Sequence, residues 1–473
     1  MKKSYTGLKT VLIFLMSLLI AASALMIKLS LNLAHREFST EAVIPDASIQ
    51  LGTKPTEPTE TELPTETTLP QPEQVVSTAT IGAMGDLLMH KPIFDDHEKY
   101  NAAVQQADGS YDFSSLFQHI ADPISGLDYA AVNLETTLAS NDNGYIYNGY
   151  PLFNCPDSLI DAVKDAGFDM MLTANNHSYD TGMVGLNRTL EIIRGRGLVT
   201  LGTYLSADET KWTVEEINGI RVGMLCYTYA TGVAETGRPS LNHNQVITEP
   251  GRCNYFYTEN LVPFYTEVEG YLDEMEQAGA EATILFIHWG NEYQLTENQT
   301  QNEMAQKLCD LGIDVIIGGH PHVVQPVELL ASTIDPEQKT VCLYSMGNAV
   351  SNQRLGFSQA ITTPHTEDGI LFSVTFEKYS DGTVYLAEAE GLPTWVHKFR
   401  NDKGKDEYHI LPLADENRDQ WQSLFGISAA TLTSLEKSYD RTTAIVGEGL
   451  TQVNEYLQQE KTEREAYYLS LVS

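Results

Sequence analysis

Polar side chains follow several apolar, strand-like segments of the sequence, and their types suit the binding of a divalent cation. Asp86 follows Thr78–Met84, and Asn133 and Glu135 end the apolar segment that starts at Tyr129. A carboxylate just past a strand is a suitable ligand for a divalent metal. A turn at Asp86 and a salt bridge at Glu135 are the alternatives, since an unpaired buried carboxylate is unfavourable.

The densest polar cluster follows the apolar segment Phe168–Thr173. Asn175, Asn176, His177 and Asp180 all lie within six residues. Turn formation and helix capping explain one or two such residues, but they do not readily explain the whole set. The cluster therefore indicates a functional site at this position.

Histidines follow two further strand-like segments. His320 and His322 flank a proline after two glycines, which presents two imidazoles from one stiff loop. Neutral imidazole is the commonest protein ligand for metals. His288 also follows an apolar segment, where a hydrogen-bonded structural histidine is the alternative. Glu292 and Asn348 are expected to line the same site.

The combination of carboxylate, amide and imidazole groups suits Mn, Fe, Zn, Co or Ni rather than a thiolate site. A bridging carboxylate would let two ions sit roughly 3.5–4 Å apart, an arrangement that activates water and clamps a phosphate or a similar oxyanion. The sequence has no Gly-x-Ser-x-Gly elbow and no P-loop, so mechanisms that depend on those motifs lack support.

The elements that must position these side chains alternate between strands and helices from Val75 onward, which predicts an α/β layered domain. The carboxyl ends of strands in such a sheet are where ligands normally bind. A β-rich part covers 369–413, and the chain from 416 to 473 is predicted to be a helical extension. Helices are predicted at Pro156–Ala166, Met183–Arg194 and Thr300–Leu311.

The N-terminus has the features of a membrane-targeting segment. Lysines in residues 1–10 precede the uncharged apolar segment Val11–Ile27. We expect residues 11–30 to be a single-pass anchor, with the N-terminus in the cytoplasm and the globular part outside the cell membrane; a signal peptide cleaved after Ala24 is the alternative. Residues 31–77 are rich in Pro, Thr and Glu, which predicts a disordered linker.

The composition excludes some classes of function. The chain has 64 acidic and 29 basic residues and a formal charge of −35, so nucleic-acid binding is not expected. The five cysteines include no Cys-x-x-Cys pair, which excludes a zinc ribbon and a thioredoxin motif and leaves at most one disulfide.

These motifs, in this order, resemble the CapA family of capsule-synthesis proteins, which is associated with poly-γ-glutamate. The resemblance covers about 80–350 and extends towards 415, so residues 78–415 are expected to form one domain. The matching motifs are Gly85-Asp86, Asn133-Leu-Glu135, Asn175-Asn-His-Ser-Tyr-Asp180, His288-Trp-Gly-Asn-Glu292, Gly319-His-Pro-His322 and Ser345-Met-Gly-Asn348.

The family is similar in turn to calcineurin-like metallophosphoesterases, which implies a four-layer β-sandwich flanked by helices. The resemblance implies that Glu135 bridges two ions and that His177 acts beside the metals. Leu88 stands where the phosphoesterases have a histidine, and His90 is a weak substitute. The metal ligands implied by the resemblance are Asp86, Glu135, Asn176, His288, His320 and His322.

Two functions follow from the resemblance. The first is a hydrolase that uses one or two divalent ions (Mn, Fe or Zn) on a phosphoester or amide bond, assisted by His177 and Asp180. The second is a non-catalytic component that binds an anionic polymer or the subunits of a membrane synthase. Leu88 favours the second function, and the retained ligand set favours the first.

Overall fold

The computed structural model describes residues 74–97, 100–142, 144–232, 237–242 and 244–472. The strands in this part of the chain are β1 (Val75–Leu87), β2 (Tyr129–Leu134), β3 (Met170–Leu172), β4 (Val199–Leu201), β5 (Thr213–Ile217), β6 (Ile220–Tyr229), β7 (Thr231–Gly232), β8 (Pro239–Leu241), β9 (Gln245–Val246), β10 (Tyr255–Phe256), β11 (Ala282–His288), β12 (Val315–Gly319), β13 (Val327–Ala331), β14 (Lys339–Leu343), β15 (Asn348–Val350), β16 (Asp368–Tyr379), β17 (Val384–Arg400) and β18 (Asp406–Pro412).

The helices are α1 (Lys91–Phe94), α2 (Ser114–Phe117), α3 (Ala121–Ser125), α4 (Ser158–Asp165), α5 (Gly182–Gly195), α6 (Val262–Gln277), α7 (Gln299–Asp310), α8 (Trp421–Leu424) and α9 (Ala429–Val472). Short 3-10 helices lie at Pro364–Glu367 and Asp415–Gln420. The predicted anchor, residues 11–30, and most of the predicted linker lie outside the described residues. Among the residues described, no helix is both long and apolar enough to cross a bilayer.

Two mixed sheets carry the fold. Sheet A has the order β18-β17-β16-β1-β2-β3-β4, with β15 also paired to β1. Sheet B has the order β10-β6-β11-β12-β14-β13, with β5 also paired to β6. Strands β1 to β4 run parallel, as do β6, β11, β12 and β14. Their carboxyl ends therefore gather at one edge of each sheet.

The sheets face each other across a shared core, and helices cover their outer faces. Ile81 of β1 and Phe286 of β11 belong to the same buried cluster between the sheets. On the outer side of sheet A, Leu159 of α4 packs with Val132. Phe264 of α6 packs in the same way on sheet B. The mixed α/β class predicted from the sequence is confirmed, and the layers follow the order helix, sheet, sheet, helix.

The long helix α9 packs on both sheets, since it contacts β17 of sheet A and β13 of sheet B. The helix approaches closely at Gly449, where a Cβ atom would lie 1.9 Å from the carbonyl oxygen of Val327. All five cysteines are free and buried, so no disulfide links these layers.

An ion pair at Asp368 anchors α9 to sheet A. Arg441 donates from Nε and Nη2 to the two carboxylate oxygens at 2.7 and 2.6 Å, and Ser438 Oγ donates at 2.6 Å. Burial raises the pKa of Asp368 to about 6, against the opposing effect of Arg441. The next residue, Gly369, forms a β-bridge with Gly347, which directly precedes β15. The ion pair therefore lies close to a strand that borders the candidate site.

Replacing Arg441 with Met leaves the buried Asp368 carboxylate without its cation. We expect Arg441→Met to lower the free energy of unfolding by about 3 kcal/mol near pH 8. The loss should shrink near pH 5, because a protonated carboxyl group needs no cation. Denaturation in guanidinium chloride measures both effects.

The matched control is Arg400→Met, which removes an arginine whose side chain is 75% exposed and lies 3.3 Å from Asp406. This change should alter stability by less than about 0.5 kcal/mol. Equal effects of the two substitutions would show that the Asp368–Arg441 pair does not stabilise the fold.

Candidate metal centre

The parallel strands bring distant motifs into register at one edge of the sandwich. Asp86 in β1 lies opposite Asn133 of β2 on one side and Asn348 of β15 on the other. In sheet B, His288 at the end of β11 lies opposite Gly319 at the end of β12. Because each polar motif follows its strand at nearly the same level, the side chains meet at this edge.

A network of hydrogen bonds fixes the Asp86 carboxylate. Asn133 Nδ2 donates to Asp86 Oδ1 at 2.7 Å, and Asn175 Nδ2 donates to Asn133 Oδ1 at 3.0 Å. The other carboxylate oxygen, Oδ2, lies 3.0 Å from His322 Nδ1. Asn133 and Asn175, which the sequence predicts as lining residues, thus hold Asp86 in place.

Potential ligand atoms crowd around the Nε2 atom of His288. Asn176 Oδ1 lies 2.8 Å away, His320 Nδ1 lies 3.1 Å away, and Glu135 Oε1 lies 3.6 Å away. A ring nitrogen can satisfy only one such neighbour with a hydrogen bond. A cation among these atoms would satisfy them all.

Glu135 shows most directly that the residues present fit a metal. Its side chain is completely buried, yet neither carboxylate oxygen has a hydrogen-bond partner within the described residues. Glu135 belongs to two groups of potential ligands in which the ligand atoms lie within 4.8 Å of one another. The groups are Glu135 with His288 and His320, and Glu135 with Asp86 and His322. The shared carboxylate suits a bridge between two cations.

The two histidines of the Gly319–His322 loop have unusual backbone conformations. His320 has φ of 97° and His322 has φ of 57°, both in the left-handed region that non-glycine residues rarely adopt. Such conformations persist where the surroundings impose them, and they often occur at functional sites. A Cβ atom on Gly319 would lie 3.2 Å from Asp86 Oδ1, so glycine lets the loop approach the carboxylate.

The electrostatic effects on the two histidines are opposite. Burial lowers the pKa of His320 well below its usual value, and the neighbouring histidines lower it further. Burial also opposes the charged form of His322, but Glu135 and Asp86 raise its pKa to about 9. Burial raises the pKa of Asp86, whereas the hydrogen bond and charge of His322 lower it, and the net shift is downward. The carboxylates therefore favour positive charge in the centre.

His177 and Asp180 form a second buried pair beside these ligands. His177 Nδ1 lies 2.6 Å from Asp180 Oδ2, which also accepts a hydrogen bond from the Phe153 backbone. Asn242 Nδ2 donates to Asp180 Oδ1 at 2.8 Å. Burial opposes the charge on His177, but Asp180 and Glu135 give its pKa a net upward shift. Asp180 therefore orients the imidazole and stabilises its protonated form.

The structure places most of the predicted site residues together. Asn348 is buried near the centre, where its Nδ2 donates to His322 O at 3.2 Å and its Oδ1 has no partner within the described residues. Glu292 is exposed and lies outside both ligand groups. His90 is also outside them, because its Nδ1 lies 3.1 Å from Leu88 O. The motifs gave no indication of Asn242, which follows the short strand β8.

The fold and the centre define an α/β two-sheet protein with a carboxylate- and histidine-rich site of the metal-binding type. Residues 80–353 match the family model for "Bacterial capsule synthesis protein PGA_cap". The match covers more than half of the 473 residues, and the chain belongs to this family.

Two curated relatives carry related names. "PGA biosynthesis protein CapA" of Bacillus subtilis (strain 168) is 26% identical over 312 residues, which cover 65% of this chain and 73% of the relative. "Capsule biosynthesis protein CapA" of Bacillus anthracis is 24% identical over 283 residues, which cover 58% of this chain and 60% of the relative.

Among solved structures, a purple acid phosphatase from yellow lupin (Lupinus luteus) seeds aligns with 68% of this chain and 55% of its own chain. Its sequence is 11% identical, and the TM-score is 0.26. This overall similarity is too low to support an argument about the site.

The unpartnered Glu135 carboxylate leads to a prediction about stability. In the presence of EDTA, Glu135→Gln should change the free energy of unfolding by less than about 1 kcal/mol, because removal of a buried carboxylate without a hydrogen bond is offset by the loss of its attraction to His322. The variant should also lose most of the rise in melting temperature that Mn²⁺ causes in the unaltered chain. Thermal unfolding with and without Mn²⁺ measures both effects.

Glu328→Gln is the matched control, since the Glu328 carboxylate lies on the surface and accepts a hydrogen bond from the Tyr344 hydroxyl at 2.8 Å. Its response to Mn²⁺ should equal that of the unaltered chain. An unchanged Mn²⁺ response in Glu135→Gln would contradict a bridging role.

Proposed function

We propose that this chain is a metal-dependent hydrolase in the assembly of an extracytoplasmic polymer. The observation that carries the proposal is the completely buried Glu135, whose partnerless carboxylate is shared by two groups of potential ligands. The names of the two Bacillus relatives, which refer to capsule and PGA biosynthesis, support the polymer as the biological context.

We propose that the centre would hold two divalent cations, with Glu135 as a ligand of both. The first would be held by Asn176, His288 and His320, and the second by Asp86 and His322. The mixture of oxygen and nitrogen ligands suits Mn, Fe or Zn. This ligand set at the edge of two helix-covered sheets also supports a metallophosphatase-like fold. A bound cation supplies Lewis acidity, because it polarises the oxygen of an ester or amide and neutralises the charge that develops there.

The chain's own residues contribute orientation and proton transfer. Asp180 accepts from Nδ1 of His177, which fixes the tautomer and leaves Nε2 for the substrate. Protonated His177 can then donate to the leaving group of a phosphoester or amide. Asn242 and the Phe153 backbone hold Asp180, so the histidine keeps its direction. Burial of the centre excludes bulk water and strengthens these electrostatic interactions.

We further propose that the globular part works outside the cell membrane, tethered by residues 11–30. A chain with a formal charge of −35 repels an anionic polymer over most of its surface. Contact with such a polymer would therefore depend on the cations of the centre or on local uncharged surface.

A second candidate function is a non-catalytic role, in which the centre binds chain ends or braces synthase subunits. Leu88 supports this alternative, because it stands where the metallophosphoesterases have a histidine ligand. Its side chain is 2% exposed and apolar, so it offers no ligand atom to a cation. The second cation would therefore have fewer protein ligands.

Removal of one histidine ligand tests the centre itself. We expect His322→Asn to weaken the binding of Mn²⁺ by more than about tenfold, since even residues that only support ligands contribute about 10–100-fold. Titration calorimetry and elemental analysis of the full-length chain measure the affinity and the number of ions. The matched control is His90→Asn, which changes a buried histidine outside both ligand groups and should leave the affinity unchanged. Equal effects would exclude His322 as a ligand.

Turnover of a phosphodiester separates the two functions. With Mn²⁺ bound, the chain should hydrolyse bis(4-nitrophenyl) phosphate, and His177→Gln should lower kcat by about 100-fold while the bound metal is retained. His119→Gln, at a half-buried histidine outside both ligand groups, is the control and should keep full activity.

Absence of turnover of both the phosphodiester and an amide substrate by the metal-loaded chain would contradict hydrolysis. Co-purification with membrane synthase subunits that persists in His320→Ala would then favour the non-catalytic role.

A further inference from the structure

A cleft with a volume of about 940 Å³ lies beside α1 and the loop residues 144–150. Small-molecule sites in proteins span roughly 300–1,000 Å³, so this cleft lies at the upper end of that range and can hold a ligand of several rings. Its lining includes four tyrosines: Tyr100, Tyr111, Tyr147 and Tyr150. None of these residues belongs to the metal centre.

The tyrosine rings are arranged as a preformed surface. Tyr111 meets Tyr147 edge to face, with ring centroids 5.6 Å apart and an interplanar angle of 84°. Phe94 packs against Tyr111 in a similar way at 6.5 Å. Tyr150 is 74% exposed, so packing of the protein core does not account for its ring. Tyrosine offers a large, rigid face at little cost in conformational entropy, which suits the binding of a ligand.

The charges of the cleft favour a neutral ligand. Lys91 Nζ and Asp95 Oδ2 form an ion pair at 2.9 Å, and His97 Nδ1 lies 3.2 Å from the same carboxylate group. Among the described lining residues, the lysine and the aspartate therefore compensate each other. A polyanion would find no surplus of positive charge here and would meet the repulsion of a chain with charge −35.

Side-chain amides add hydrogen-bonding capacity between the rings. Asn141 Oδ1 accepts from the Tyr147 backbone at 3.3 Å, and Asn148 Nδ2 donates to Leu152 O at 3.1 Å. These bonds orient both amides and leave the second atom of each side chain for a ligand. Amides that can donate or accept beside flat aromatic faces match the hydroxyl groups and the C–H faces of sugar rings.

The same loop runs from the cleft to the metal centre. A Cβ atom on Gly149 would lie 2.7 Å from the Lys91 backbone nitrogen and 3.2 Å from His90 Cα, so the loop packs directly on the chain that follows β1. A few residues further on, the Phe153 ring lies 4.6 Å from the His177 ring and 5.3 Å from the His90 ring. The chain segment that lines the cleft therefore also packs against His177.

We propose that this tyrosine cleft binds a neutral saccharide oligomer and directs one end of it to the metal centre. The sugar rings stack on the tyrosine faces, and their hydroxyl groups pair with Asn141 and Asn148. The direction of the oligomer rests on the proposed function, whereas the binding itself does not require metal.

Binding of the β-1,4-linked hexasaccharide of N-acetylglucosamine to the full-length chain in EDTA tests the cleft. Titration calorimetry should show saturable binding, and Tyr150→Ala should weaken it by at least about tenfold, which corresponds to the loss of one stacking contact. Because Tyr150 is exposed, this variant should fold normally, and its melting temperature checks this. Tyr467→Ala is the matched control, since Tyr467 is 61% exposed on α9 and should not affect binding.

Absence of saturable binding, or equal affinities of Tyr150→Ala and the unaltered chain, would overturn the proposal. A poly-γ-glutamate oligomer is the second ligand. If it binds in a Tyr150-dependent way and the hexasaccharide does not, the cleft serves a polyanion and the proposal is also overturned. If His322→Asn loses metal binding but binds the saccharide as tightly as the unaltered chain, the result concerns the metal centre alone. Each of the two proposals can therefore be contradicted without the other.

Discussion

The centre depends on one unfavourable arrangement, the burial of the Glu135 carboxylate without a hydrogen-bond partner among the described residues. A buried charge of this kind lowers stability unless an opposite charge compensates it. Its neighbours, chiefly His288 and His322, offer nitrogen atoms that a cation can bind together with the carboxylate. The stability of this region therefore depends on positive charge beside Glu135, which a protonated His322 or a bound cation can supply.

The rest of the fold keeps these atoms from moving apart. Parallel strands set Asp86 level with Asn133 and Asn348, and the strained loop of His320 and His322 closes the centre from sheet B. Gly347, directly before β15, forms a β-bridge with Gly369. The adjacent Asp368 binds Arg441 of the helix α9. A helix more than two hundred residues from Glu135 in the sequence thus supports the same edge of the sandwich.

The distribution of charge connects the centre with the surface around it. An acidic chain that acts on an anionic polymer, as we propose, would need local regions where repulsion is absent. Cations held by the metal centre would provide one such region, and the tyrosine cleft provides an uncharged surface in which Lys91 and Asp95 compensate each other. The loop that contains Gly149 and Phe153 links the two regions.

The sequence by itself determined the α/β class, the main strands and the types of ligand. Strand periodicity and polar residues at strand ends are local features, and parallel strands necessarily bring their carboxyl ends to one edge. Only the tertiary structure decided that Glu135 is shared by two ligand groups, that Glu292 and His90 lie outside them, and that Asn242 holds Asp180. It also assembled the tyrosine cleft from separate segments. These features depend on contacts between distant parts of the chain, whose distances follow from packing and leave no periodic pattern in the sequence.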